Sequence, residues 1–160
     1  MANIGWGKCK VLVGAWDENN TSAPSSLSAI PTPAQDSTVL SVTKGSKTEA
    51  KIEGGANEDV KYDTNNYSLV VRIRAAKGRQ KPIEDVNGIV KLNYAVAVQP
   101  EDKDVNGFRM DSCRVSVADG FSTSEGGYWE YTFDALMTEN DGVQNPMIKW
   151  GKISDTGAVL

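Results

Sequence analysis

The sequence predicts a mostly β fold, an antiparallel β-sandwich or barrel with at most one or two short helices. Three observations predict it. Several segments alternate apolar and polar residues with a period of two, turn-forming residues separate them, and no window keeps a period of 3.6 residues over three turns. Because 160 residues fit one domain comfortably, we expect a single domain, 1–160, with a core of its own.

The clearest predicted strand covers residues 67–75, where every second residue is apolar while Arg72 and Arg74 lie on the other face. The same alternation predicts strands at 90–98, 113–117 and 129–135, and weaker patterns predict shorter strands at 8–13, 39–43, 48–53 and 147–150. The turn signals between them include Gly54-Gly55, Asn87-Gly88, Gly126-Gly127 and Asp141-Gly142. A short helix fits only at 57–62 or 81–85.

Two long connections interrupt this pattern. Residues 17–37 are rich in Asn, Ser and Thr and contain Pro31 and Pro33, which hold their neighbours extended and bar a central strand. We expect a long loop or arm here. The second connection covers residues 77–87.

The charge balance is acidic, with 17 Lys and Arg against 21 Asp and Glu, a net charge of −4 and a pI of about 4.9. An acidic chain repels phosphate, which argues against a general nucleic-acid binder but not against a surface that nucleic acid passes without sticking. No apolar segment reaches membrane-spanning length, and the N-terminus lacks a signal-peptide pattern. We therefore expect synthesis in a cytoplasm and no membrane partner.

The residues that most catalytic sites need are missing. The chain has no histidine, which excludes Ser-His-Asp and Cys-His nucleophiles and the usual zinc sites, and it has no phosphate-binding glycine loop. We expect no enzymatic activity, no cofactor and no metal. Cys9 and Cys113 are the only cysteines, and both a disulfide and two free thiols are compatible with the sequence.

One acidic turn contains two partial motifs. Asp102, Asp104, Asn106 and Gly107 match the opening of a calcium loop, but Cys113 occupies the position of its bidentate Glu. The carboxylates of Glu101, Asp102 and Asp104 could serve a glycoside hydrolase. An acidic turn between strands explains both motifs more simply.

Five positive charges follow one another without an intervening acid, and we take them as a candidate subunit interface together with Pro31 and Pro33. The run has no aromatic stacking platforms for nucleic acid. It is either the solvated face of a strand and its loop, or a docking surface for acids of a neighbouring copy, such as Glu49, Glu53 or Glu58-Asp59. Such a heterologous contact closes into a ring or continues as a stack. The run consists of Arg72, Arg74, Lys77, Arg79 and Lys81.

A set of local patterns carries a family resemblance from about Val39 onward. They are the segment from Thr43 through Lys44-Gly45-Ser46 to Glu53-Gly54-Gly55, the strand through Tyr67-Ser68-Leu69, the pair Lys77-Gly78, and Asp134-Ala135-Leu136 after an aromatic strand. In these features the chain resembles the major tail (tail tube) proteins of long-tailed phages, especially those of phages and prophages of gut Bacteroides relatives.

The resemblance implies a tail-tube β-sandwich with a short helix and a structural role in the virion. Proteins of this family form rings, usually hexameric, that stack into a hollow tube through which DNA passes without specific binding. They contact other tail proteins, and they are made in the bacterial host cytoplasm. Residues 17–37 and 77–87 are then candidates for contacts between subunits or rings.

Two other interpretations stay open. Another phage or injection-system component, such as a baseplate, tail-completion or inner-tube protein, would share the fold. A carbohydrate-binding β-sandwich could stack sugars on Trp6, Trp16, Trp129 or Trp150, although Trp129 lies on the apolar side of its strand, which favours a core role.

Overall fold

The computed structural model describes residues 4–160, apart from the side chain of Asn140. These residues form twelve β-strands and no helix, so the predicted mostly β class is confirmed. The strands are β1 (Lys10–Ala15), β2 (Ser28–Ala29), β3 (Val39–Thr43), β4 (Lys47–Lys51), β5 (Asn57–Tyr62), β6 (Asn66–Arg74), β7 (Tyr94–Gln99), β8 (Gly107–Ser122), β9 (Gly126–Ala135), β10 (Glu139–Asn140), β11 (Val143–Gln144) and β12 (Lys149–Gly151).

Eight of the strands form one curled antiparallel sheet, which has the shape of a half-barrel. Its order is β2-β1-β7-β8-β9-β6-β3, and β12 pairs with the first residues of β8. The pairs β4–β5 and β10–β11 form separate two-stranded hairpins. The sheet is staggered, because β7 pairs with the first half of β8 and β9 pairs with the second half.

The main core lies on the inner, concave side of this sheet. It collects inward-facing side chains from both halves of the sheet, so the two halves are held together by burial of apolar surface. Partly buried residues such as Leu40 on β3 and Ile30 after β2 extend it toward the two edges. Its fully buried members include Val11, Leu69, Val71, Ile73, Val96, Met110, Cys113, Tyr131 and Phe133.

A second, smaller core covers the outer face of β1 and β7. Leu12, Ala95 and Ala97 alternate with the residues of the main core, and Leu27 and Ile153 pack on them from outside. A Cβ atom on the neighbouring Gly14 would lie 2.6 Å from the Leu27 side chain, so glycine permits this close approach. As a result β7, whose Ala95–Gln99 are all buried, has apolar neighbours on both faces.

A β-bulge in β8 changes which residues point inward. Tyr94 pairs with Cys113 and Val96 with Met110, so two steps along β7 match three steps along β8. One extra residue of this kind shifts the alternation of side chains. Before the bulge the inward residues are Phe108 and Met110; after it they are Cys113, Val115 and Val117.

The two positions considered for a short helix are both non-helical. Residues 57–62 form strand β5, because they pair in a hairpin with β4 across the Gly54-Gly55 turn, where both glycines have positive φ. Residues 81–85 lie in an irregular connection. The predicted strand 90–98 is shorter than expected, since β7 begins at Tyr94, although Val90 is buried in the main core.

Candidate functional site

The five bases of the predicted interface separate into paired and unpaired groups. Arg72 belongs to the first group: its guanidinium Nη2 lies 2.8 Å from a carboxylate oxygen of Glu130, and its Nη1 lies 3.4 Å from Glu125. The same guanidinium stacks 4.1 Å above the centre of the Tyr128 ring. The hydrogen bond to Glu130 raises the pKa of Arg72. These contacts join β6 to β9, so Arg72 acts mainly within the chain.

Lys81 is also held within the chain. Its Nζ lies 3.0 Å from a carboxylate oxygen of Asp85 and 3.0 Å from one of Asp119. Asp85 in turn accepts a 2.7 Å hydrogen bond from the N–H of Gly88, in the turn where Asn87 and Gly88 have positive φ. The bonds to Asp85 and Asp119 raise the pKa of Lys81, and the Lys81 ammonium lowers that of Asp85.

Arg74, Lys77 and Arg79 form the unpaired group, which we call the basic loop (residues 74–79). All three side chains are exposed, and within residues 4–160 none of them makes an ion pair. Arg74 and Arg79 donate only to main-chain oxygens, of Glu125 and of Arg74 itself. The basic loop therefore keeps three positive charges that the fold does not neutralise.

The remainder of the 77–87 connection is anchored to the sheet. Ile83 is buried in the main core, and the Tyr131 hydroxyl donates to its carbonyl at 3.1 Å and faces its N–H at 3.4 Å. Because the anchor lies at Ile83, the free part of this connection is the basic loop before it.

Residues 17–37 run along the domain instead of extending from it. The N–H groups of Leu27, Ile30 and Ala34 donate to the carbonyls of Thr156, Val11 and Arg72, respectively. The segment thus leads from β1, at one side of the half-barrel, to β6 at the other. Pro31 and Pro33 are half-buried in this crossing, and within it β2 is the only regular structure that the described residues form.

The part of the chain that stands clear of the domain is the hairpin β4–β5, which we call the free hairpin (residues 47–62). Its side chains are exposed except for Val60, which is half-buried. Its hydrogen bonds and ion pairs, where the structure describes them, stay inside it; Glu49, for example, binds Lys47 and Lys51. The sequence indicates the turn and the acids of this hairpin, but not that its strands pack on no other part of the domain.

The far end of the free hairpin is acidic. Glu53, Glu58 and Asp59 are exposed there, and they form no ion pair with any described residue. We call these three residues the acidic tip. They are the same acids that the sequence offers as partners for the basic run, apart from Glu49, which is already neutralised by Lys47 and Lys51.

The sheet ends on an open edge at β3. This strand pairs with β6, and no other described strand covers its second edge. Its sequence, Val39-Leu-Ser-Val-Thr43, contains neither a charge nor a proline, and Val39 and Val42 are 50% and 48% exposed. Proteins normally protect such edges with charges, prolines or bulges, so β3 is a template for a further strand.

An open cleft of about 780 Å³ lies beside residues 32–38. Its walls include Pro33, Leu40, Val98, Phe108 and Trp150. Trp150 packs against Phe108 with ring centres 5.2 Å apart and stays 59% exposed, and the nearby N-terminal segment presents Trp6 at 74% exposure. Trp129, by contrast, packs against the main core, as its parity predicts.

In the acidic turn, two of the three carboxylates accept hydrogen bonds from main-chain N–H groups. Glu101 accepts a hydrogen bond from the N–H of Lys8, and Asp102 accepts one from the N–H of Asp104. Residues 4–160 contain no group of three or more acids or cysteines placed to hold a metal ion. Cys9 and Cys113 are both free thiols, and burial raises the pKa of Cys113 far above its usual range.

The sequence matches no protein-family model, and no curated protein is significantly similar to it. Residues 4–160 form no helix, and therefore no helix that could span a membrane.

Proposed function

We propose that this protein is a structural component of a phage virion that self-assembles into stacked rings, forming the tail tube through which DNA passes. The observation that carries the proposal is the open apolar edge of the half-barrel at β3, because an unprotected edge strand is suited to pair with a strand of another copy. The tail-tube resemblance from Val39 onward starts at this same strand.

Two further features support assembly. The free hairpin exposes both faces of its strands, an arrangement that contributes nothing to the core of its own domain and suits contact with a neighbour. The net charge of −4 suits a channel for DNA, since a negative wall repels phosphate and lets the duplex slide without specific binding. In this proposal the partners are further copies, in rings that the family resemblance makes hexameric, and other tail proteins.

Electron microscopy of the purified protein over a range of concentrations tests the proposal. We expect rings at moderate concentration and hollow tubes at high concentration. Rings that never stack would favour a baseplate or tail-completion component instead. A protein that remains monomeric by analytical ultracentrifugation at every concentration would contradict self-assembly altogether.

A carbohydrate-binding module is the second candidate, because two exposed tryptophans, Trp6 and Trp150, lie near one open cleft. Indole rings in such positions can stack on sugars. Tryptophan fluorescence titrated with a panel of glycans tests it: saturable quenching that is lost in Trp150→Ala would support this function, and unchanged fluorescence would reject it.

A further inference from the structure

We propose that the acidic tip of the free hairpin in one copy binds the basic loop of the next copy, so that successive copies join head to tail. This inference rests on the self-assembly proposed above and names the surfaces that carry it. The partner that binds the basic loop is therefore a second copy of the same chain, and the loop recognises the carboxylates of that copy.

The numbers of free charges on the two surfaces match. The basic loop presents Arg74, Lys77 and Arg79, and the acidic tip presents Glu53, Glu58 and Asp59. The neighbouring charges of Arg72, Lys81 and Glu49 already take part in ion pairs within the chain, whereas the exposed Lys61 on β5 makes no ion pair with a described residue. The hairpin therefore carries three unpaired acids and one unpaired base, Lys61, whereas the basic loop carries three unpaired bases and no acid.

The two surfaces lie at opposite ends of one strand. The free hairpin leads into β6 at Asn66, and the basic loop begins where β6 ends at Arg74. Nine strand residues extend roughly 27 Å, whereas a hairpin with strands of five or six residues extends roughly 17–20 Å. The structure accordingly contains no ion pair between the two surfaces, and the charges are available to another copy.

The signs of the charges also restrict which surfaces of two copies can contact each other. Two acidic tips repel each other, and so do two basic loops, so a two-fold symmetric contact through either surface is disfavoured. When the tip of one copy binds the loop of a second copy, whose own tip binds the loop of a third, the contact is heterologous and leaves a free surface of each kind at the two ends of the assembly. It can therefore close into a ring or continue as a stack.

Two charge-reversal variants test the contact. Glu53→Lys/Glu58→Lys makes the tip basic, and Lys77→Glu/Arg79→Glu makes the loop acidic. Each variant alone opposes like charges, so we expect the concentration needed for assembly to rise at least about tenfold in sedimentation assays. An equimolar mixture restores opposite charges at every contact, and we expect it to assemble near the concentration of the unmodified protein.

The control reverses two exposed bases that make no ion pair among the described residues, Lys91→Glu/Lys103→Glu, and it should assemble like the unmodified protein. Circular dichroism confirms that each variant is folded. Variants that assemble normally, or a mixture that fails like its components, would overturn this contact while leaving self-assembly intact. If the unmodified protein itself never assembles, both proposals fail together.

Discussion

The hydroxyl group of Tyr131 is one of the groups that attach the 77–87 connection to the sheet, beside the ion pair between Lys81 and Asp119. Tyr131 is only 1% exposed, and its hydroxyl satisfies both main-chain groups of Ile83, which is itself buried. Burial raises the pKa of this phenol, so it stays protonated and able to donate over the whole working range of pH. The position of the basic loop therefore depends on a residue far away in the sequence.

Tyr131→Phe should lower the free energy of unfolding by about 1–3 kcal/mol, because buried polar groups of Ile83 lose their partner while the apolar packing remains. Urea denaturation followed by circular dichroism measures the change. Tyr62→Phe is the matched control, since Tyr62 is exposed and its loss should cost less than about 0.5 kcal/mol. Equal losses in both variants would contradict the role of the hydroxyl.

Asp85 should make stability depend on pH. Its pKa is lowered from 3.8, first by Lys81 and then by the N–H of Gly88, so the folded state favours the carboxylate. The stabilisation is complete above the unfolded pKa and is lost as pH falls through the lower, folded pKa. Asp85→Asn should therefore be less stable than the unmodified protein at pH 7, and the difference should shrink below about pH 4.

Urea denaturation at a series of pH values between about 2.5 and 7 measures this difference. Glu18→Gln is the control, because Glu18 is exposed and forms no ion pair with the described residues. A difference between Asp85→Asn and the unmodified protein that stayed constant with pH would show that the charge of Asp85 is not involved.

At the scale of the element, strand β8 shows where sequence patterns stop being sufficient. Alternation correctly predicts residues 113–117 of its second half. It also predicts the bounds of β3, those of β6 to within one residue, and β9 except for its first three residues. It misses residues 107–112, because the bulge reverses the inward parity and breaks the pattern in two. Strand β5 is missed for a different reason: with both faces exposed, it has no apolar side for an alternation to mark.

The candidate surfaces were only partly predictable. The sequence identifies the five bases and the acids that could oppose them. It cannot show that Arg72 and Lys81 are neutralised by Glu130 and Asp119, because these partners are 58 and 38 residues away and meet only through the register of the sheet. The 17–37 connection was predicted as a loop or arm, and its packing through Leu27 had no sequence signal beyond one apolar residue.

Removing the free hairpin should abolish assembly and leave the domain folded. If residues 47–62 are replaced by a short Gly-Ser linker, we expect the free energy of unfolding to change by less than about 1 kcal/mol, because the hairpin adds nothing to either core. Electron microscopy should then show no tubes. A linker variant that unfolds would show that the hairpin supports the domain, and one that still forms tubes would exclude it from assembly.

At the scale of the whole molecule, the fold is a sheet that curls without closing. The two halves of the sheet share the main core, and the 17–37 connection runs between its two sides. Strand β3 keeps an uncovered edge. Closed barrels have no such edge. In the assembly proposed above, this open edge is the part of the sheet to which a strand of a neighbouring copy would add.

A charge on this edge should prevent copies from pairing there. Val39→Lys places an ammonium group at a half-exposed position of β3, which should cost little stability but oppose the addition of a neighbouring strand. Analytical ultracentrifugation should show a monomer where the unmodified protein forms rings. Val143→Lys, at an exposed position on β11, is the control and should not alter assembly. Rings formed by Val39→Lys would exclude β3 from the interface.

Because the free hairpin contributes to neither core, a protease should be able to cut the chain there without unfolding the domain. Lys51 is exposed immediately before the turn, so trypsin should cut there without opening either core. The two fragments would remain joined, because β3 before the cut and β6 after it are paired along five residues. The domain should thus survive this cut as a two-piece complex. The rate of cleavage after Lys51, followed by mass spectrometry of the fragments, should report whether a neighbouring copy covers the hairpin.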